Sequence, residues 1–75
     1  MDEDKVERVR KYYSWLDESM AYDPQYVAER LNVSDRTITR MIKRGELTAT
    51  RVGERQLRIP GKGLLDYLVE NTTFK

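Results

Sequence analysis

Apolar residues recur at helical spacing in four stretches of the chain and at strand spacing in a fifth, and the order of these stretches is the main signal. In Pro24–Leu31, Val27, Ala28 and Leu31 fall at i, i+1 and i+4, one face of a helix. Asp23 suits the N-cap, and Pro24 suits the first helical position, where a missing N–H costs nothing. The spacing therefore predicts a helix over Pro24–Leu31. Asn32 tolerates the left-handed conformation that ends a helix, Val33 is expected to plug the turn, and Ser34 to offer its hydroxyl to the first free N–H groups of a second helix. From Asp35 to about Arg44, Ile38, Met41 and Ile42 repeat at i, i+3 and i+4, while Arg36, Thr37, Thr39, Arg40, Lys43 and Arg44 take the remaining positions. One face packs and the other carries donors. Gly45 follows, where a positive φ is needed.

The period then changes. Thr50-Arg51-Val52 and Gln56-Leu57-Arg58-Ile59 are short β-prone runs around Gly53-Glu54-Arg55, and Pro60 ends the second run because it cannot donate to a ladder. A two-stranded wing is predicted. A last helix, about Lys62 to Glu70, presents Leu64, Leu65, Tyr67 and Leu68 and is expected to cover the open side of the core. Upstream, Val6, Val9, Tyr13, Leu16 and Met20 alternate spacings of three and four, with Tyr12 and Trp15 widening the apolar face, so a helix is predicted from Asp4 to about Met20. That face can fold back onto the rest of the chain, pair with a second copy, or meet a protein partner. A free-standing coiled coil of fewer than three heptads would be weak.

Helix, tight turn, basic helix and arginine-bearing hairpin make a mainly α fold with a small β-hairpin, a winged helix-turn-helix preceded by an extra N-terminal helix. The expected division is residues 1–21 as an amphipathic extension and 22–75 as the winged domain. Ala28-Glu29 with Leu31, Val33-Ser34, Arg36-Thr37-Ile38, Arg40-Met41-Ile42, Gly45-Glu46-Leu47, Arg51-Val52-Gly53, Arg58-Ile59-Pro60 and Asp66-Tyr67-Leu68 closely resemble the excisionase-type branch of the MerR-like winged-helix domains. The resemblance covers roughly Tyr22 to Glu70. It implies sequence-specific binding of double-stranded DNA, with the recognition helix in the major groove and the wing at the minor groove or backbone. The roles it implies are an excisionase-like recombination accessory factor working with an integrase or recombinase, or a small transcriptional regulator of a phage or mobile element. The larger MerR-like regulators would add a long dimerisation helix and an effector domain, whereas this sequence stops at Lys75. A protein-interaction module that reuses the fold is the alternative of another class. Three departures from the family pattern stand out. The wing is about one residue longer with Glu54 at its tip, Gly61-Lys62-Gly63 replaces the usual polar cap before the last helix, and Asp35 puts a negative charge at the start of the recognition helix.

Composition narrows the field further. Seventy-five residues allow one domain with a thin core. Without cysteine or histidine, disulfides, Cys/His zinc sites and any mechanism needing a histidine base or cysteine nucleophile are excluded. No paired carboxylates in a plausible pocket, phosphate-cradling glycine loop or metal-ligand cluster points to an enzyme or a cofactor. No apolar run approaches the roughly 20 residues needed to cross a bilayer, and the acidic start Met1-Asp2-Glu3-Asp4 is unlike a secretory signal, so a cytoplasmic protein, nucleoid-associated when bound to DNA, is expected.

Net charge is only +1, but its distribution is uneven. Residues 1–35 hold five basic and nine acidic groups, whereas residues 36–62 hold eight basic and two acidic groups, a net of +6 over the recognition helix and wing. Such an asymmetry is the footprint of a phosphate-binding face. Arg36, Thr37 and Arg40 are placed to reach base edges, since arginine pairs bidentately with guanine and a threonine methyl touches thymine. Thr39, Lys43 and Arg44 are expected at phosphates, with helix solubility an equal explanation for Arg44. Arg51, Arg55 and Arg58 complete the set from the wing, Arg55 and Arg58 entering or flanking the minor groove unless strand alternation turns Arg58 aside. Ser34 is expected to cap, with a phosphate also in reach. Tyr26 either completes the core or supports the first helix against the DNA backbone. Self-association on adjacent DNA sites is expected of so small a module.

Overall fold

The computed structural model describes residues 2–74, and Met1 and Lys75 lie outside the described residues. Capping decides the boundaries of the central helices. The first helix of the motif, α2 (Pro24–Leu31), starts where the Asp23 carboxylate accepts the Gln25 N–H at 2.8 Å, with Pro24 in the first turn. It ends at Asn32, whose φ of 58° is left-handed and lets the Val33 N–H reach back to the Ala28 carbonyl at 2.9 Å. Val33 thus contributes its backbone to the turn. Its side chain does not plug anything: it stays 41% exposed, because the left-handed step swings it out toward solvent. The second helix, α3 (Asp35–Lys43), starts at Ser34, whose hydroxyl accepts the Thr37 N–H at 3.1 Å, and stops before Gly45 at a φ of 75°.

The remaining elements close around this pair. An N-terminal helix, α1 (Glu3–Tyr12), leads through turns to a two-residue strand, β1 (Ala21–Tyr22), before α2. After α3 come β2 (Thr50–Val52), β3 (Gln56–Pro60) and α4 (Gly61–Asn71). The sheet is antiparallel with order β1-β3-β2, Thr50 pairing with Arg58, Arg51 with Leu57 and Val52 with Gln56 in the hairpin. The predicted two-stranded wing is therefore the outer part of a three-stranded sheet, in which Ala21 pairs with Pro60 and Tyr22 with Ile59. Two residues are too few to show a strand period, which is why β1 is not predicted from the sequence.

Every element except β2 contributes to one core. Val9, Tyr22, Val27, Ala28, Ile38, Leu47, Ile59, Leu64, Leu65, Leu68 and Val69 are buried, drawn from α1, β1, α2, α3, β3, α4 and the loop after α3. Val9 has no exposed surface, and α1 packs on α4 with Val6, Tyr13, Trp15 and Leu16 against the same cluster. Of the three uses open to that apolar face, the fold adopts the internal one. Its length is corrected, however: the helix stops at Tyr12 rather than near Met20. The chain leaves the helical region at Tyr13, with φ of −111° and ψ of 60°. Further on, the Asp17 carboxylate accepts both the Ser19 N–H at 2.9 Å and the Ser19 hydroxyl at 2.6 Å, a local turn that competes with helix in the stretch before Met20. Those bonds hold the Asp17 carboxyl below its ordinary value. The turn's contribution is hence present above the ordinary carboxylate pKa and is lost as pH falls through the lowered one. Met20 and Tyr12, expected on the apolar face, are 53% and 70% exposed.

An aromatic cluster fills the angle between this turn and α2. Tyr22 and Tyr26 stack at 5.5 Å, Trp15 meets both rings edge-on, and the Arg30 guanidinium stands 5.0 Å from the Tyr26 ring centre. Tyr26 thus packs against the core as one of the two readings proposed. The Tyr22 hydroxyl accepts the Asp17 N–H at 2.7 Å, fixing the turn to β1.

The Gly61-Lys62-Gly63 departure acquires a physical reason. Helix α4 begins one residue earlier and ends one later than predicted, with Pro60 at the cap and no side-chain cap bond. Instead the Gly61 N–H donates to the Met20 carbonyl at 2.8 Å, and a Cβ on Gly61 would collide with the Asp17 carbonyl oxygen. Only glycine allows that approach of two backbones. Replacing Gly61 with alanine is expected to lower the melting temperature by about 4–8 °C or more, the shift that roughly 1 kcal/mol produces in a domain of this size. A thermal melt followed by circular dichroism checks it, and an unchanged midpoint would show that the approach is not needed.

Candidate nucleic-acid interface

Helical geometry sorts the side chains of α3. Ile38 is fully buried and Met41 and Ile42 pack beside it, so at 3.6 residues per turn the opposite direction is taken by Arg36, Arg40 and Lys43. All three are exposed. Arg36 and Lys43, two turns apart, lie about 10 Å from each other along the axis. Thr39 lies on one flank, and Thr37 and Arg44 on the other.

The hairpin approaches the flank that carries Thr39. Asp35 and Thr39 of α3, the segment from Arg55 to Arg58 on the wing, and Asp23, Pro24 and Gln25 at the start of α2 line one open groove. Gly53, at a φ of 69°, turns the chain at the wing tip and leaves Arg55 exposed above the groove. The exposed face of α3, the groove and the wing tip form one continuous surface.

Partners distinguish the basic residues on it. Arg44 stands 3.9 Å from the Glu46 carboxylate, and Arg51 donates to the Glu54 carbonyl at 3.4 Å. Arg58 is held by Leu57, Gln56 and Asp23. Among the described residues, no carboxylate forms an ion pair with Arg36, Arg40, Lys43 or Arg55. Most of the other cations are occupied: Arg10 with Glu7 and Glu18, Lys62 with Asp66, and Arg8 and Arg30 over aromatic rings. Four unpaired cations thus share the face that the helix pair and wing present.

Polar neighbours divide in the same way. The Thr37 hydroxyl lies 3.0 Å from the Ser34 hydroxyl, so both residues are engaged in the cap of α3, whereas Thr39 is exposed toward the wing. Gln25 and Gln56 line the groove and were not singled out from the sequence. A signal for Gln25 was present, since a helix-turn-helix sets its first helix across the DNA backbone. Gln56 carried none, because its direction depends on the hairpin register.

Two helices joined by a left-handed turn, with a hairpin beside the exposed face of the second, define a winged helix-turn-helix. The helix-turn-helix domain family matches residues 21–72, from β1 to just past the end of α4, and the chain belongs to this DNA-binding family. No match was found among curated proteins or among solved structures. Among the described residues no helix is long and apolar enough to cross a membrane.

Proposed function

We propose that the protein binds specific double-stranded DNA with α3 in the major groove and the wing at the minor groove or backbone, and that it acts as an excisionase-like accessory factor in DNA recombination. The observation that supports this reading most is the set of unpaired cations, Arg36, Arg40, Lys43 and Arg55, gathered on one surface of a helix-turn-helix fold. Arg36 and Arg40, at the centre of the exposed face, read base edges. Lys43, Arg55 and Thr39, with Gln25 and Gln56 along the groove, take phosphates. Ser34 and Thr37 hold the start of α3, and Arg44 and Arg51 add positive field from the periphery. The recombination role is carried by the sequence resemblance, and the partner it calls for is an integrase.

Binding is expected to be salt-dependent, because each phosphate neutralised releases condensed counterions and contributes about −0.9 to the slope of log affinity against log salt. Lys43→Ala should weaken all duplex sequences alike and make that slope shallower by roughly one such contribution. Titration of a labelled duplex at several salt concentrations checks both. A slope near zero would remove the electrostatic role of the segment from Arg36 to Lys62.

The recombination role is tested by excision in the presence of the integrase encoded nearest the gene. Stimulated excision supports it. A protein that shifts operator DNA and changes transcription but leaves excision untouched is instead a small regulator of a mobile element.

A further inference from the structure

The solvent side of the sheet carries a linkage between the wing and the helix pair. The β1–β3 ladder sets Ala21 opposite Pro60 and Tyr22 opposite Ile59, and one further step along the same register puts Asp23 across from Arg58. Because Tyr22 and Ile59 face the core, Asp23 and Arg58 share the outer side, where Gln56 also lies two residues along the strand. The Arg58 guanidinium is surrounded there by acceptors. Its Nη1 donates to the Leu57 carbonyl at 2.9 Å, its Nη2 donates to Gln56 Oε1 at 3.1 Å, and Nη1 stands 3.8 Å from Asp23 Oδ2. The other oxygen of Asp23 accepts the Gln25 N–H that caps α2. One carboxylate therefore touches the first turn of α2 and, through Arg58, the strand that leads to the wing tip.

Packing gives the linkage its consequence. Helix α2 packs on α3, so whatever fixes β3 to the start of α2 also fixes the span from the wing to the exposed face of α3. The wing beyond that point has little else to hold it, since Thr50, Arg51 and Val52 are all exposed.

We infer that Arg58 is a positioning residue, clamping the wing to the helix pair at the distance a duplex requires, and that it does not itself neutralise a phosphate. The inference rests on the DNA-binding reading of this face and adds to it how the wing is set. A planar guanidinium can span Gln56, the Leu57 carbonyl and Asp23 together, which the single ammonium of a lysine cannot. A phosphate contact has no such requirement, and lysine meets it as a point charge.

Three variants of the full chain test this: Arg58→Gln, Arg58→Lys and Asp23→Asn, the last keeping a competent N-cap for α2. Circular dichroism establishes that each is folded, duplex affinity is measured across a salt series, and amide hydrogen exchange is measured in the free protein. A half-exposed ion pair with its attendant hydrogen bonds sets the scale, so each variant should bind about 3–5-fold more weakly. The salt slope should match wild type, amides of Val52–Gln56 should exchange faster, and the Asp23→Asn/Arg58→Gln double variant should be no weaker than either single one. A slope shallower by about 0.9 in Arg58→Gln, with full rescue by lysine, would make Arg58 a phosphate contact and overturn the inference. So would tighter binding by Asp23→Asn, which would mean that the arginine had been released to the DNA, or hairpin exchange unchanged in Arg58→Gln. Arg40→Ala serves as the control for the underlying reading: if it leaves binding untouched, the DNA face is misassigned, while hairpin exchange still decides whether Arg58 holds the wing.

Discussion

Deletion of residues 1–19 is expected to abolish cooperative folding. The deleted segment carries Val9, which has no exposed surface, and Val6, Tyr13, Trp15 and Leu16, which pack on the same cluster as α4. Burial of one such side chain stabilises by about 1.5–3 kcal/mol, so their joint loss is of the same order as the roughly 5–15 kcal/mol that hold a whole domain. A chain this short has little surplus to absorb it. The deletion also uncovers the side of α4 on which α1 packs and removes the Asp17 N–H that donates to the Tyr22 hydroxyl. The segment starting at residue 21 matches the family, yet its core is completed from outside the matched region. Circular dichroism during thermal melting reads the outcome. A shortened protein that melts cooperatively at the full-length temperature would show that the winged part folds alone and that α1 is dispensable to it. If such a protein also filled tandem DNA sites with undiminished cooperativity, α1 would have no part in assembly either.

What the sequence made legible, and what it hid, follows from the range of the interactions. The boundaries of α2 and α3 rest on Asp23, Pro24, Asn32, Ser34 and Gly45, each acting within four residues of itself, and each shows in the sequence as a residue type suited to its place. The hairpin was similarly visible through its two β-prone runs around Gly53. Elements set by distant partners were not. Strand β1 exists because β3 offers it an edge, and Gly61 is required by a carbonyl forty-four positions earlier, at Asp17. The three-four apolar spacing continues to Met20 although α1 stops at Tyr12, and the Asp17–Ser19 turn beyond that stop is a polar competition that hydrophobic spacing does not record. Leu47 joined the core unseen, since it lies in a loop where no period marks it. The site shows the same division. Arg36, Arg40 and Lys43 emerge from the helical period alone, opposite Ile38, whereas the approach of Asp23 to Arg58 depends on a cross-strand register that only the folded sheet supplies.

Arg36→Ala and Arg40→Ala are each expected to cost about 1–3 kcal/mol on the preferred site, roughly 5- to 150-fold in affinity, and to relax the base preference there. The expectation rests on position and on freedom. Both side chains point away from Ile38 at the middle of the exposed face, and neither is paired with a carboxylate among the described residues. An arginine so placed can present two donors to the O6 and N7 of one guanine, a pattern that no other base pair offers in the major groove. Loss of a phosphate contact would lower affinity for every duplex by a similar factor. Loss of a base contact removes affinity chiefly where that base stands, so the gap between specific and non-specific binding narrows. Selection of binding sites from a random duplex pool, carried out with wild type and with each variant, separates the two. The expected result is a motif that loses information at one or two adjacent positions for each arginine, at steps consistent with residues four apart on one helix. Identical motifs from all three proteins would assign Arg36 and Arg40 to the backbone and leave sequence discrimination to the shape and deformability of the DNA.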